Sequence, residues 1–295
     1  MFIQLVDVRL FFDVEGAKLV PDGGSMREKP ALLLLHGGPS LDHSTFRPAF
    51  SALSDLAQVI YLDQRGHGRS ERNEAKHWSL RQWADDVYAF CQALGIEQPI
   101  VLGTSFGGYV AMVYAIRYPE HPAKLILVST SARGTAIPAR QVNVRAGFER
   151  VAGKTASLVA QKAFDERTPE AYEEYTRVCG PFYNPNPPDP DAVKRTVRNP
   201  DVLLYFERAE GEGAIFDLTR DLPLIRCPTL VISGDEDPIT PVEEQQLIVD
   251  SMQPGLATHL RFPKCGHGVL RDNAAGLVAA VRDFVSLPQK GAKTS

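Results

Sequence analysis

Residues 100–108 read IVLGTSFGG and carry the strongest fold signal in the chain. The first three are apolar and predict a buried strand, whereas the residues from Phe106 onward predict a helix. Between them lies a G-x-S-x-G pattern, in the strand-to-helix context that a nucleophilic serine requires. We therefore predict that Ser105 is a nucleophile held in a sharp, strained turn. Gly103 and Gly107 lack side chains where such a turn brings the chain close to itself.

Short apolar stretches and helical patterns alternate on both sides of this turn. The apolar stretches are continuous rather than alternating, which is typical of parallel strands buried on both faces. The sequence therefore predicts the α/β class, with a mostly parallel sheet flanked by helices. Strands are predicted at 31–35, 59–62, 100–102, 125–128 and 230–232, and helices at 79–95, 106–118, 241–252 and 273–284.

Three stretches depart from this alternation. Residues 2–14 predict one or two antiparallel edge strands, and residues 23–30 predict a polar turn before the first parallel strand. Residues 131–222 hold charged helical segments and no strand-like apolar run, and a structureless loop of that length would be improbable in a compact domain. We therefore expect an α/β core of residues 1–130 and 223–295, with a helical cap (lid) of residues 131–222.

Composition limits the class of protein and its partners. The 295 residues are 44% hydrophobic and 23% charged, as expected for a globular protein, and no apolar run approaches the ~20 residues of a membrane span. The net charge of −4 gives no electrostatic case for binding nucleic acid or an anionic membrane. The start of the chain lacks a secretory pattern, and four scattered cysteines fit a reducing compartment. We expect a cytoplasmic protein that binds neither nucleic acid nor a membrane; composition says nothing about its chemistry, and the oligomeric state is left open.

A nucleophilic serine needs a base on another loop at the same edge of the sheet. His267 meets this requirement, because it follows the apolar residues 260–262, precedes the last predicted helix and is flanked by glycines. An acid that orients the base should follow the strand at 230–232. Asp237 is favoured because Pro238 fixes it three residues beyond the turn glycine, and Asp235 is the alternative.

The loop after the first parallel strand reads His36-Gly-Gly-Pro39 and predicts an oxyanion hole. Glycine-rich backbone there can direct an N–H group at a developing oxyanion, and we predict Gly38 as one donor and the Phe106 N–H as the other. Gly37 supports this loop. The chemistry predicted is two-step acyl transfer, which needs no metal and no organic cofactor. The simpler alternative for the loop is an ordinary turn.

Together these motifs resemble the α/β-hydrolase superfamily. The resemblance rests on HGGP at 36–39, DQRGHGRS at 63–70, GTSFGG at 103–108, Asp237 and His267. The first two motifs look most like the proline iminopeptidase branch. In that branch the DQRG loop braces the oxyanion loop, which implies supporting roles for Asp63 and Arg65.

The sequence also departs from that branch. Ser40 and Phe106 stand where iminopeptidases usually have glycine and tryptophan. Their lids supply glutamates that bind the free amine of the substrate, and no motif assigns that role here. The glutamates considered are Glu149, Glu173, Glu174, Glu207, Glu210 and Glu212.

These departures leave three predicted functions. The first is hydrolysis of a small carboxylic ester or lactone, of the carboxylesterase or acyl-homoserine-lactonase type. The second is release of N-terminal proline from a peptide. The third is a hydrolase fold kept for ligand binding without catalysis.

Overall fold

The computed structural model describes residues 1–288. Within that range the chain forms ten strands and ten α-helices, in the alternating order that the sequence predicts for most of its length. The strands are β1 (Phe2–Gln4), β2 (Arg9–Glu15), β3 (Leu19–Asp22), β4 (Ser25–Glu28), β5 (Ala31–Leu35), β6 (Gln58–Leu62), β7 (Ile100–Thr104), β8 (Lys124–Val128), β9 (Thr229–Gly234) and β10 (Ala257–Phe262). The helices are α1 (Leu80–Ala93), α2 (Phe106–Arg117), α3 (Pro138–Glu166), α4 (Pro169–Cys179), α5 (Pro190–Arg195), α6 (Pro200–Glu207), α7 (Glu212–Ile215), α8 (Val242–Ser251), α9 (Val269–Asp272) and α10 (Ala274–Ser286).

Eight strands form one sheet in the order β1-β2-β6-β5-β7-β8-β9-β10. Strands β5 to β10 pair in parallel, whereas β1 and β2 add an antiparallel edge. The predicted fold class, a mostly parallel α/β sheet flanked by helices, is confirmed. The one or two antiparallel edge strands predicted within residues 2–14 prove to be two, β1 and β2, which pair with each other.

Helices cover both faces of this sheet. In β5, Leu33 and Leu35 pack into the cluster that includes α1 and α2, whereas Leu32 and Leu34 pack into the cluster that includes α10. Consecutive side chains on a strand point to opposite faces, so a strand buried on both faces must be apolar throughout. This explains why the central strands lack an alternating pattern.

The polar turn predicted at 23–30 is wrong in part. Only the two glycines at 23 and 24 form the turn, and Ser25–Glu28 is strand β4, paired antiparallel with β3. All four residues of β4 are exposed. A strand without a buried face carries no hydrophobic signal, so periodicity could not reveal it. The edge strand β10 was not identified as a strand from the sequence either.

Helices α3 to α7 all lie between β8 and β9, where the sequence predicts the cap. They have an apolar cluster of their own, built mainly from α3 and α4, with Phe148 and Tyr175 in ring contact. The boundaries of cap and core stay predictions. Within residues 1–288, no helix combines the length and apolar character needed to cross a bilayer.

Two histidines are buried where β5 and the segment after β6 approach α1 and α2. The rings of His36 and His67 lie 5.0 Å apart, and His67 also packs against Trp83 and Phe106. Burial lowers the pKa of both side chains, that of His67 to about 3. His67 is therefore neutral in the folded protein at neutral and mildly acidic pH.

We expect acid to destabilise the fold through His67. Between its folded pKa of about 3 and an unfolded value of roughly 6.5, the unfolded chain binds a proton that the folded chain does not, so stability falls as pH drops below about 6.5. Between pH 7.5 and pH 5, the unfolding free energy of the wild type should fall by about 2 kcal/mol more than that of His67→Asn. Urea unfolding across this pH range measures the effect.

The control for this experiment is His77→Asn, which removes a partly exposed histidine. The two variants are compared by the change in unfolding free energy with pH, because a smaller side chain at 67 also lowers stability at every pH. An acid-induced loss of stability that is equal in wild type and His67→Asn would contradict the assignment.

Candidate functional site

Five of the predicted site residues follow the carboxyl ends of strands. Because β5, β6, β7, β9 and β10 run parallel, these ends lie at one edge of the sheet, where α/β proteins commonly bind ligands. The residues that follow them in chain order are Gly38, Asp63, Ser105, Asp237 and His267.

Ser105 occupies the turn between β7 and α2 with φ +52° and ψ −116°, a conformation that a residue with a side chain rarely adopts. Its N–H donates to the Val128 carbonyl at 2.9 Å, and its carbonyl accepts from Thr130 Oγ1 at 2.8 Å. The turn is therefore held by the end of β8. The strain predicted from the G-x-S-x-G pattern is present in the backbone.

The glycines flanking Ser105 make the turn possible. A Cβ atom at Gly103 would lie 2.2 Å from the Gly107 carbonyl oxygen, and one at Gly107 would lie 2.1 Å from the Leu35 carbonyl oxygen. Both distances are far shorter than any van der Waals contact. The distance from Gly107 to Leu35 joins the chain after β7 to the neighbouring strand β5, so the turn after β7 packs directly against the end of β5.

The structure brings Ser105, His267 and Asp237 into one hydrogen-bonded line. His267 Nε2 lies 3.0 Å from Ser105 Oγ, and His267 Nδ1 lies 2.9 Å from Asp237 Oδ2. Asp237 is fully buried, whereas the side chain of His267 is 15% exposed. This arrangement can take a proton from the serine and hold the imidazole in one orientation.

Asp237 is the acid that reaches His267. Its Oδ1 accepts the backbone N–H groups of Ile239 and Thr240, and its Oδ2 accepts the Thr240 hydroxyl at 2.7 Å. These bonds fix the carboxylate as an acceptor toward the imidazole. The alternative, Asp235, is only partly buried and pairs with Arg261 at 2.8 Å.

The predicted oxyanion loop lies beside Ser105. A Cβ atom at Gly37 would contact Ser105 Cβ at 3.4 Å and the Thr104 carbonyl oxygen at 3.2 Å. Phe106 is the first residue of α2, so its N–H is one of the groups that a helix start leaves without an intrahelical acceptor. Within residues 1–288, the Gly38 N–H donates no hydrogen bond to another residue. The role of both donors stays a prediction.

Asp63 and the residues around it contact the oxyanion loop and the chain just beyond it. Asp63 Oδ1 accepts from the backbone N–H of His43 at 2.9 Å and lies 2.7 Å from its Nδ1. Gln64, which the sequence did not single out, donates from Nε2 to the His36 carbonyl at 3.1 Å.

Arg65 instead pairs with Asp86 of α1 at 2.7 Å and with an exposed aspartate of the edge segment. Arg65 therefore contacts the loop only through its neighbours.

Two residues between β8 and β9 join the predicted cap to the site, and sequence reasoning missed both. The Tyr183 carbonyl accepts the His267 N–H at 2.7 Å, and the two rings meet edge to face at 5.9 Å. The Asn199 N–H donates to the Ser40 carbonyl at 3.0 Å. Neither lies in a motif, and only the proline-rich kink at 179–190 marked the segment around Tyr183.

Among the six glutamates considered for amine binding, only Glu207 is buried. Its Oε2 accepts from Thr135 Oγ1 at 2.8 Å and lies 3.7 Å from Arg167 Nη1. Burial raises the pKa of this carboxyl. Glu207 therefore already has a hydrogen-bond donor and a cationic neighbour within the protein.

Comparison with known proteins shows the family to which this chain belongs. A family model described as alpha/beta hydrolase fold matches residues 30–274. A proline iminopeptidase, PfmaB of Pestalotiopsis fici, is 29% identical over 82% of this chain and 88% of its own length. A bifunctional esterase/perhydrolase of Acinetobacter calcoaceticus is 27% identical over 74% and 78%.

A solved structure of Mycobacterium smegmatis proline iminopeptidase superposes with a TM-score of 0.75, at 23% identity and 97% coverage of both chains. The resemblance inferred from the sequence motifs is confirmed. This chain belongs to the α/β-hydrolase fold family and is related to proline iminopeptidases.

Proposed function

We propose that this protein is a serine hydrolase that cleaves a small carboxylic ester or lactone through an acyl-enzyme. The observation that carries the proposal is the position of His267, which lies within hydrogen-bond distance of Ser105 Oγ and of Asp237 Oδ2. A buried carboxylate on one side of an imidazole and a hydroxyl on the other is the arrangement that activates a serine.

In the proposed reaction, Ser105 Oγ attacks the substrate carbonyl while His267 Nε2 takes its proton. The carbonyl oxygen becomes an oxyanion that accepts from the Gly38 and Phe106 N–H groups, each worth roughly 3 kcal/mol of transition-state stabilisation. His267 then protonates the departing alcohol oxygen, which leaves an acyl ester on Ser105. Water, deprotonated by His267, attacks that ester and releases the acid.

Asp237 keeps the proton of the imidazole on Nδ1 and stabilises the imidazolium that forms during each transfer. Its burial and its three hydrogen bonds from Ile239 and Thr240 support this role, because they leave Oδ2 directed at His267. The start of α2 lies beside the reacting atoms and favours negative charge there.

Ester or lactone hydrolysis is preferred to iminopeptidase action because of Glu207. A free amine is held best by a carboxylate that has no other cation nearby, whereas Glu207 is shared by Thr135 and Arg167. The relatedness to proline iminopeptidases favours release of N-terminal proline as the second candidate. A binding protein without catalysis is the third.

The first prediction concerns the nucleophile. Ser105→Ala should abolish hydrolysis of a short p-nitrophenyl ester and labelling by a fluorophosphonate probe, because within residues 1–288 no other hydroxyl or thiol lies within hydrogen-bond distance of His267 Nε2. Ester turnover, intact-mass spectrometry and thermal unfolding of the same samples measure this. Ser25→Ala, at an exposed position of β4, is the control and should keep full activity. Labelling that persists in Ser105→Ala would move the nucleophile elsewhere.

The second prediction separates the two acids. Asp237→Asn should lower kcat by a factor on the order of 10⁴, because the amide no longer holds the required imidazole tautomer. Asp235→Asn should change kcat less than about threefold, since Asp235 pairs with Arg261 at the surface. Steady-state kinetics on one ester measures both, and the reverse order would identify Asp235 as the acid.

The third prediction ranks the substrates. An acyl ester, an acyl lactone and a prolyl arylamide are compared under matched conditions, and kcat/KM is expected to be highest for the ester or the lactone. Highest kcat/KM for the prolyl arylamide would establish the iminopeptidase alternative. A protein that turns over none of them and resists the fluorophosphonate probe would be a binding protein.

A further inference from the structure

A buried cluster of charged side chains lies between the start of α3 and the segment that carries Glu207. It contains three arginines and two glutamates, so it holds one more positive charge than negative when all are ionised. The five residues are Arg133, Arg140, Arg167, Glu207 and Glu244. Glu244 is taken by Arg133, with which it forms two hydrogen bonds. The surplus of one positive charge therefore belongs to the remaining three side chains, which are Arg140, Arg167 and Glu207.

Of the three arginines, Arg140 is the one that forms no direct ion pair, although both glutamates lie near enough to interact with its charge. It is 2% exposed, yet no carboxylate of residues 1–288 lies within 4 Å of its guanidinium. Its donors meet two neutral oxygens, the Arg133 carbonyl and, at 3.1 Å, the Tyr109 hydroxyl, and its Nε has no partner. A buried cation without a paired anion is costly, and buried donors are almost always satisfied.

Arg167 brings a second guanidinium to the same place. A straight helix of 29 residues would be ~43 Å long, but Gly153 interrupts α3 with φ +80° and ψ +176°. Arg167, at the end of α3, consequently returns to its beginning and donates to Thr135 Oγ1 at 3.0 Å. Its side chain is 4% exposed, and its Nη2 has no partner within residues 1–288.

Two segments connect the cluster with the turn that carries the proposed nucleophile. Tyr109, which accepts from Arg140, lies on α2 four residues after Ser105. Thr130 donates its hydroxyl to the Ser105 carbonyl, and the next residue, Ser131, donates its hydroxyl to Glu244 of the cluster. The cluster therefore adjoins the turn at Ser105.

We propose that Arg140 and Arg167 form a subsite for a carboxylate of the substrate, so that the molecule cleaved at Ser105 is an ester or lactone carrying one free carboxylate. A carboxylate is a stronger acceptor than the hydroxyl and carbonyl oxygens that Arg140 now uses, and its charge matches the surplus of the cluster. Because the donor atoms are enclosed, binding displaces the Tyr109 hydroxyl from Arg140. The identity of the substrate rests on the proposed function, but the subsite itself does not.

Binding to a chemically inert protein tests the subsite without catalysis. Ser105→Ala protein is titrated with monoethyl glutarate, which carries the carboxylate on the acyl side, and with 3-acetoxypropionate, which carries it on the alcohol side. Diethyl glutarate is the neutral comparison. Ligand-detected NMR should show that at least one of the two anions binds about tenfold more tightly than the diester.

The charge partner is tested in the same background. Adding Arg140→Gln or Arg167→Gln should weaken binding of the preferred anion about tenfold and leave binding of the diester within about twofold. Adding Arg145→Gln, an exposed position of the same helix, should leave both dissociation constants unchanged. Two substitutions at the subsite keep the test open if one of them prevents folding.

The outcomes separate this inference from the proposed function. Equal affinity for the anions and the diester, or anion affinity that is insensitive to both arginine variants, would overturn the carboxylate subsite even in an active hydrolase. Wild-type protein that binds the anion through Arg140 but hydrolyses no ester would keep the subsite and reject the hydrolase proposal.

Discussion

The close approach of Gly107 to the carbonyl oxygen of Leu35 constrains the turn at Ser105 and the loop that follows β5. No side chain fits there, since a Cβ atom would approach that oxygen to 2.1 Å. The same contact presses the start of α2 against the end of β5, and the loop that leaves β5 carries Gly37 and Gly38. One steric requirement therefore sets both the strained conformation of Ser105 and the position of the backbone proposed to face its oxyanion.

The segment between β8 and β9 holds the site from two sides. Through Tyr183 it fixes the backbone of the loop that carries His267, and through Asn199 it fixes the loop that follows Gly38. Displacing that segment would disturb the proposed base and the proposed oxyanion donors together. A cap that only covered the site would affect substrate access. These hydrogen bonds instead couple the cap to the geometry of the reacting groups.

The sequence predicts those structural features that restrict which residue types can occupy a position. Central strands and the turn at Ser105 were predicted because burial on two faces and steric exclusion each leave a residue pattern. The hairpin strand β4 was missed because all its residues are exposed. Thr240, Tyr183 and Asn199 were missed for another reason: they act through backbone groups or through a single hydroxyl, and neither use requires a recognisable motif.

The charge balance beside α2 links the fold to the choice of substrate. An uncompensated carboxylate would attract a free amine, which is the role that the resemblance assigns to glutamates of iminopeptidase lids. Here Glu207 is accompanied by Arg167, while Arg140 forms no direct ion pair with any carboxylate of residues 1–288. Burial raises the pKa of Glu207, so any loss of its charge increases the positive surplus. Under the proposed carboxylate subsite, a site with related backbone motifs would prefer the opposite charge, because specificity would depend on which buried ions lack a partner rather than on the motifs that build the nucleophile.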